Sequence, residues 1–379
     1  MGDYPKALSA HEKALAIRQQ SLPFDHPDLG ASYKNIGLLY DNMGDYPKAL
    51  SYYEKALAIK QQSRSSNRPS LGASYNSIGV VYENMDDYPK ALSNYEKALA
   101  IQQHSLPSNH SDLGATYTNI GLLYDSMSDY PKALSFYEKA LAIQQQLLPS
   151  NHPDLGDTYN NIGLVYYSMR DYPKTLSYFR KALAIRQQSL PSNHPDLGAS
   201  YNNIGLVFYN MRNYQEALLT HDKALEIKQQ SLLFDHPSFG SSYNNIGNVY
   251  DSMGDYPKAL LAHEKALAIK QQSLPSNHPD LGSYYNNIGN VCEKMSDFPK
   301  SLFYYEKALA IKEQLLPSNH PDLDASYNNI GVVYQEMGNY SKAHSFYERA
   351  VQIGQQSLPT NHAHLKIYKE NFEDMKKKL

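Results

Sequence analysis

The chain has 379 residues, a formal net charge of −3, 41% hydrophobic residues and one cysteine. No basic excess exists to drive nucleic-acid or anionic-membrane binding, and a single thiol excludes an intramolecular disulfide framework while fitting a reducing compartment such as the cytoplasm. No apolar run approaches the ~20 residues of a membrane span, and the first residues lack a secretory signal.

The chain opens on Met1-Gly2-Asp3-Tyr4-Pro5, which recurs as Met43-Gly44-Asp45-Tyr46-Pro47. A start in the middle of a repeat is what a truncated gene or a trimmed segment would show. Myristoylation does not fit, because Lys6 stands where Ser or Thr is required. The Asp-Tyr-Pro word returns nine times at a spacing of 42 residues, with Asn213, Phe298 and Asn339 as variants. A fixed period of this size marks a solenoid, whose units bury their apolar faces only against their neighbours. We therefore expect one elongated domain over residues 1–379, made of a half repeat (1–20), eight repeats (27–360) and a terminal helix (363–379). Surfaces, rather than a catalytic pocket, are where its function should be sought.

Residues 4–20 read as the second helix of a half repeat, with Ala7, His11, Ala14 and Ile17 forming an apolar stripe that has no partner helix. The first full repeat then sets the pattern. Pro27-Asp28-Leu29 opens a helix, with proline in the first turn and the aspartate near the positive end of the dipole. Tyr33, Ile36, Gly37 and Tyr40 follow at helical spacing, and Met43-Gly44 ends the helix with a glycine free to turn left-handed. Asp45 should cap the second helix, as Asp or Asn does in all nine copies, with Pro47 tolerated in its first turn. Ala49, Tyr53, Ala56 and Ile59 make its buried stripe, and Ser63 with a Pro-rich loop closes the unit.

Tyr33-x2-Ile36-Gly37-x2-Tyr40, followed by Ala49-x3-Tyr53-x2-Ala56, resembles the tetratricopeptide repeat. The eight helix pairs keep Tyr, Ile and Gly from Tyr33/Ile36/Gly37 to Tyr327/Ile330/Gly331. With its Asn-His-Pro-Asp-Leu loop and Tyr-Asn-Asn-Ile-Gly core, the longer 42-residue unit looks like the repeat domain of kinesin light chains. That resemblance implies an all-α, right-handed α-α superhelical solenoid that binds partner peptides in a concave groove. It does not extend to the heptad coiled coil by which kinesin light chains hold the heavy chain. At the far end Leu365, Tyr368, Phe372, Met375 and Leu379 alternate by three and four, while Glu373 replaces the glycine and Lys376-Lys377-Lys378 face solvent. This reads as a capping helix rather than a lipid or nucleic-acid patch, because Glu370, Glu373 and Asp374 offset the lysines.

The recurrent histidines His26, His110, His152, His194, His236, His278, His320 and His362, with Arg68 once in their place, do not read as a metal array. Equivalent positions should lie on the order of 10 Å apart, whereas zinc takes ligands at about 2.0–2.3 Å. They are expected to flank helix N-termini, and His11, His221 and His263 to be packed histidines with one hydrogen bond each. Cys292 replaces Tyr40 at an interior position and reads as a small buried hydrophobe. The sequons at Asn109 and Asn339 have no secretory context. With no asymmetric catalytic constellation, no cofactor and no enzyme activity are expected.

The remaining stripe of the first helix comprises positions 31, 35, 38 and 42. Its asparagine rung is Asn35, Asn119, Asn161, Asn203, Asn245, Asn287 and Asn329, broken by Ser77. An amide donates and accepts, so it can grip a peptide backbone whatever the side chains, or else ladder helix to helix. The aliphatic rung (Leu38, Val80, Leu122, Leu164, Leu206) becomes Asn248 and Asn290, and with Asn244, Asn245, Asn286 and Asn287 these make the most polar stretch. Kinesin-light-chain grooves accept acidic peptides by resemblance, but here Lys34 stands nearly alone. The reading is a protein-interaction scaffold for an extended peptide or protein tail, monomeric, with no nucleic-acid or membrane partner. Its alternatives are an accessory module of a larger enzyme or signalling protein and a self-associating, end-to-end array.

Overall fold

The computed structural model describes residues 4–62, 68–231, 236–359 and 361–379. Met1-Gly2-Asp3, Ser63 and the side chain of Arg68 lie outside the described residues. The chain divides into two compact units, Met1–Ser189 and Leu190–Leu379. The N-terminal unit holds α1 (Tyr4–Ser21), α2 (Pro27–Asn42), α3 (Tyr46–Gln62), α4 (Arg68–Asn84), α5 (Tyr88–Ser105), α6 (Ser111–Ser126), α7 (Tyr130–Leu147), α8 (Pro153–Ser168) and α9 (Tyr172–Ser189). The C-terminal unit holds α10 (Pro195–Asn210), α11 (Tyr214–Ser231), α12 (Ser238–Met253), α13 (Tyr256–Ser273), α14 (Pro279–Lys294) and α15 (Phe298–Leu315). A 3-10 turn (Pro321–Leu323) then leads into α16 (Asp324–Glu336), followed by α17 (Tyr340–Ser357) and α18 (Ala363–Lys378). Among the described residues there is no strand, and the fold is an all-α solenoid of consecutive helix pairs.

Each first helix starts where the sequence says it should. His26, His110, His152, His194, His278 and His320 occupy N-cap positions, and their Nδ1 accepts the N–H of the aspartate two residues on at 3.1–3.3 Å. The loop histidines therefore replace the usual Ser or Asp cap and satisfy an otherwise orphaned backbone donor. The second helices are capped in the expected way. Oδ1 of Asp45, Asp87, Asp129, Asp171, Asp255, Asp297 and Asn339 accepts the N–H three residues on. Such a cap contributes about 1 kcal/mol.

Between the two helices the residue after the methionine adopts a left-handed conformation. Gly44, Gly254 and Gly338 do so at φ 73–80°, and Asp86, Ser128, Arg170, Arg212 and Ser296 at φ 58–60°. The turn geometry holds even where glycine is missing, at a steric cost of roughly 1–2 kcal/mol.

The two helices of a pair meet glycine against ring. A Cβ on Gly37 would lie 2.8 Å from the Tyr53 ring, on Gly163 2.5 Å from Phe179, and on Gly205 2.7 Å from His221. Ile36, Gly37, Tyr40, Ala49, Tyr53, Ala56 and Ile59 are all buried in the first full repeat, and Tyr33 is half-buried. His221 and His263 are the packed histidines expected. Their Nδ1 atoms meet Oδ1 of Asn202 and Asn244 at 3.0 and 3.1 Å, and burial pushes each imidazole down to about 4. His11 in α1 is half-buried, and Ile17 on the same helix is exposed.

Pair joins to pair through the end of a second helix and the start of the next first helix. Nε2 of Gln61, Gln103, Gln145 and Gln271 donates to the hydroxyl of Tyr75, Tyr117, Tyr159 and Tyr285. One residue earlier the seams differ. Thr116 and Thr158 donate to Oε1 of Gln102 and Gln144 at 2.8 and 2.7 Å. Elsewhere Lys60, Lys228 and Lys312 insert their ammonium groups, each bonding a serine hydroxyl and a backbone carbonyl. Burial lowers the pKa of all three lysines.

The last helix packs as a cap. Leu365, Tyr368 and Met375 are buried, Phe372 is half-buried against the core, and the Tyr368 hydroxyl donates to Asp324 Oδ1. Leu379 departs from the expected stripe. It lies just beyond the helix and is 67% exposed, because no turn of helix remains to hold it against the core. Lys376 and Lys377 pair with Glu373 and Asp374, as a solvated face would.

Candidate functional site

The side of each first helix that does not pack on its second helix is the candidate site. Within each unit these faces are linked directly. Nδ2 of Asn119 donates to Asn76 Oδ1 at 3.2 Å, Asn287 to Asn244 at 3.0 Å, and Asn371 to Asn328 at 3.0 Å. The rung therefore takes part in an asparagine ladder, with the second asparagine of one pair donating to the first asparagine position of the pair before. Asn244 carries two such duties, since His263 also bonds its Oδ1. Asn290 Oδ1 and Glu293 Oε2 both lie within hydrogen-bond distance of the Tyr305 hydroxyl and share its one proton.

Asn35 is exposed, and Asn119, Asn161, Asn203, Asn245, Asn248, Asn286, Asn287, Asn290 and Asn329 are half-buried. Beside them the aliphatic rung is open at Leu38 (48%) and at Leu122 and Leu164 (38% each), and half-buried at Val80 and Leu206. Between α6, α7 and α8 this face deepens into a recess of about 430 Å³, edged by Asp112, Thr118, Asn119, Asp154 and Asn161 over Ile143 and Leu147.

Charge is the feature that residue-type reading missed. The eight first helices, the 3-10 turn included, carry 14 Asp and Glu against Lys34, Arg68 and Lys294. The nine second helices carry 24 Lys and Arg against 11 Asp and Glu. A near-neutral total conceals two layers of opposite sign, and a tally by repeat position would have exposed it. Several of the acids are partly desolvated. Burial raises the carboxyl pKa of Asp41, Glu83, Asp125 and Glu293, and among the described residues no cation pairs with Asp41, Glu83 or Asp125. In α12 and α14, by contrast, Lys294 Nζ pairs with Asp251 at 2.7 Å.

Cys292 is buried, and its thiol is pushed up to about 11 by desolvation, the opposite of what activates a nucleophile. Among the described residues, no helix is long and apolar enough to cross a membrane.

The tetratricopeptide repeat model matches residues 1–62, 70–146, 154–230, 221–272, 238–314 and 280–356. The chain belongs to the tetratricopeptide repeat family, whose fold typically serves as a non-catalytic scaffold for protein partners. No curated protein matches the sequence. Among solved structures, the apo form of RapI aligns with a TM-score of 0.65 at 15% identity, over 92% of this chain and 98% of that one. BtubC (BKLC) from P. vanneervenii aligns at 0.55 and 23% identity, over 61% and 92% of the two chains. A putative kinesin light chain with nearly identical repeats from Podosopora anserina aligns at 0.49 and 22%, over 54% and 97%.

Proposed function

We propose that the protein is a non-enzymatic scaffold in a reducing compartment, holding an extended peptide or the tail of another protein along the first-helix face. The observation that carries this reading is the division of each first helix. Ile36, Gly37 and Tyr40 are consumed by packing, while the asparagine and aliphatic rungs repeat in register and stay accessible. Amides grip the peptide backbone, and Leu38, Leu122 and Leu164 offer apolar contact between them. The polar stretch Asn245, Asn248, Asn287 and Asn290 provides the densest set of such groups.

The test uses a partner recovered by pull-down with the full chain. Alanine at Asn245, Asn248, Asn287 and Asn290 should weaken it, each uncharged hydrogen bond contributing about 0.5–1.5 kcal/mol. Substitution of Lys48, Lys90 and Lys132 on the second helices should not. A melting curve accompanies both variants, because Asn287 also belongs to the ladder and Asn290 also bonds the Tyr305 hydroxyl. Loss of the partner by the lysine variant alone, with both variants folded, would overturn the reading.

A further inference from the structure

The outer faces of the second helices are not alike. At the sixth residue of these helices the chain has Ser9, Ser51, Ser93, Ser135, Ser177 and Ser345, each exposed. In three consecutive copies, all within the C-terminal unit, the same position holds Leu219, Leu261 and Phe303, which are 70%, 54% and 51% exposed. Single apolar side chains scattered over a surface are ordinary. Three large ones at one level of α11, α13 and α15 form a stripe, the kind of patch that marks an interaction site. The faces of α13 and α15 adjoin along it, since Lys300, one turn before Phe303, reaches Glu264, one turn after Leu261, at 2.9 Å. Phe303 keeps half of its surface open although Lys307 Nζ lies 4.5 Å from its ring centre.

A second observation concerns charge. The third residue of a second helix is lysine in every copy but one, where Glu216 stands. That exception lies one turn before Leu219, at the end of the stripe. Glu216 and Asp222 leave α11 acidic beside Leu219, because Lys223 is already paired with Glu226. Beside Phe303, at the other end, α15 carries Lys300 and Lys307 against Glu306. An apolar line with opposite charge at its two ends is complementary to itself when turned end for end.

We propose that this stripe is the contact between two copies of the chain, related by a two-fold axis that passes through Leu261 and runs parallel to α13. The axis lays Leu219 of each copy on Phe303 of the other and Leu261 on its own counterpart. Residues at one level of the helices then meet, so Glu216 faces Lys300 of the second copy. Lys258 meets Lys258 near the axis, where each is held by its own Asp255 at 2.6 Å. Three large side chains alone bury less than the roughly 800 Å² per partner of a stable dimer, so the association is weak and concentration-dependent. The contact stands apart from the groove reading, because it uses the second helices and leaves the first-helix face free.

Sedimentation equilibrium of the full chain, from micromolar to millimolar concentration, should show an average mass rising from 42.9 kDa towards twice that value and no further. Leu219→Ser, Leu261→Ser and Phe303→Ser combined restore the residue of the other repeats and should hold the monomer mass with unchanged helicity. Glu216→Lys should weaken dimerisation about three- to thirtyfold at low salt, and less at high salt. Under mild oxidation Leu261→Cys should give a covalent dimer, whereas Leu219→Cys alone should not, since only position 261 meets itself. The native Cys292 is buried and does not compete. A parent chain that keeps the monomer mass throughout would sink the proposal, as would a serine variant that associates like the parent. Masses beyond the dimer would replace it with an end-to-end array, and cross-linking through Leu219→Cys alone would rule out the two-fold axis.

Discussion

The N-terminal and C-terminal units use the same contact, a ring seated on a glycine, but fill it with different chemistry. In the first the rings are Tyr53, Tyr95, Tyr137 and Phe179; in the second two of the four are His221 and His263. The backbone approach is nearly identical, with a Cβ on Gly121 2.8 Å from the Tyr137 ring and on Gly247 2.7 Å from the His263 ring. Packing therefore selects a flat ring of about this size and is indifferent to its acid–base behaviour. The seams differ too: the N-terminal unit mixes two glutamine–threonine pairs with one lysine–serine pair at Lys60, while the other has lysine–serine pairs at Lys228 and Lys312. Two regions can share a fold and still respond differently to pH and to substitution.

The largest expected difference is in acid. Burial holds His221 and His263 down to about 4 against an ordinary value of 6.5. A base whose pKa is lowered by folding contributes its full stability above pH 6.5 and loses it as the pH falls through 6.5 towards 4. Each histidine then costs about 3 kcal/mol at pH 4 relative to pH 7. Raised carboxyls act in the opposite sense in both units, Asp41, Glu83 and Asp125 in the N-terminal one and Asp222, Glu293 and Asp324 in the other, so the histidines alone make the difference. Hydrogen exchange resolved by residue, at pH 7 and pH 4, should show the C-terminal unit opening first. His221→Tyr with His263→Tyr, which copies the rings of the other repeats, should remove most of the difference. Equal acid sensitivity of the two units in the parent chain would break the comparison.

The seams offer a middle-sized test. Lys228→Ala removes the ammonium donor from the Ser242 hydroxyl and the Ser238 carbonyl, leaving them only the longer bonds from Asn202 and from Ser242 itself, at a cost of roughly 1–3 kcal/mol. Lys228→Gln alone should recover part of this. Lys228→Gln with Ser242→Thr, which writes the Gln102–Thr116 seam into the C-terminal unit, should recover more than the separate changes sum to. A double-mutant cycle in urea reads the coupling, expected at about 0.5–3 kcal/mol. A coupling near zero would mean that the two seam types are interchangeable residue by residue.

The helices, their caps and the ring-on-glycine contact were legible in the sequence because each rests on spacing within one repeat. Ile36 and Gly37 recur four residues from Tyr40 or closer, and Asp45 sits just before Tyr46-Pro47 at the helix start. The asparagine ladder was legible only as one of two roles, since a rung 42 residues from its copy can bond either a neighbour or a ligand. The histidine caps were placed correctly beside helix starts, but their acceptor role depends on a rotamer that spacing does not fix. The seam pairs and the carboxylates at Asp41, Glu83 and Asp125 were not read at all. Both emerge only when non-identical copies of one position are compared with each other, and attention to what repeats conceals what varies. Leu379 failed for a simpler reason: helical spacing was extended past the last turn.

The smallest effect concerns the turn between paired helices. Three of the four such turns in the N-terminal unit put Asp86, Ser128 and Arg170 in the left-handed region at φ 58–60°, whereas Gly44 supplies the fourth. The C-terminal unit divides evenly, with Arg212 and Ser296 against Gly254 and Gly338. Glycine removes a steric cost of roughly 1–2 kcal/mol but gives back about 0.5–1 kcal/mol of backbone entropy. Ser128→Gly and Arg170→Gly should thus stabilise by about 0.5 kcal/mol each, a rise in urea midpoint with an unchanged slope. Asp86→Gly should gain less, because the Asp86 carboxylate accepts from the Tyr88 hydroxyl at 3.2 Å. The reverse change isolates the conformational cost: a Cβ on Gly254 meets nothing within 4 Å, so Gly254→Ala tests backbone strain without packing. It should lose on the order of 1 kcal/mol. A neutral Gly254→Ala would show that this turn accommodates a side chain without strain, and the N-terminal unit would then carry no excess cost in its three turns.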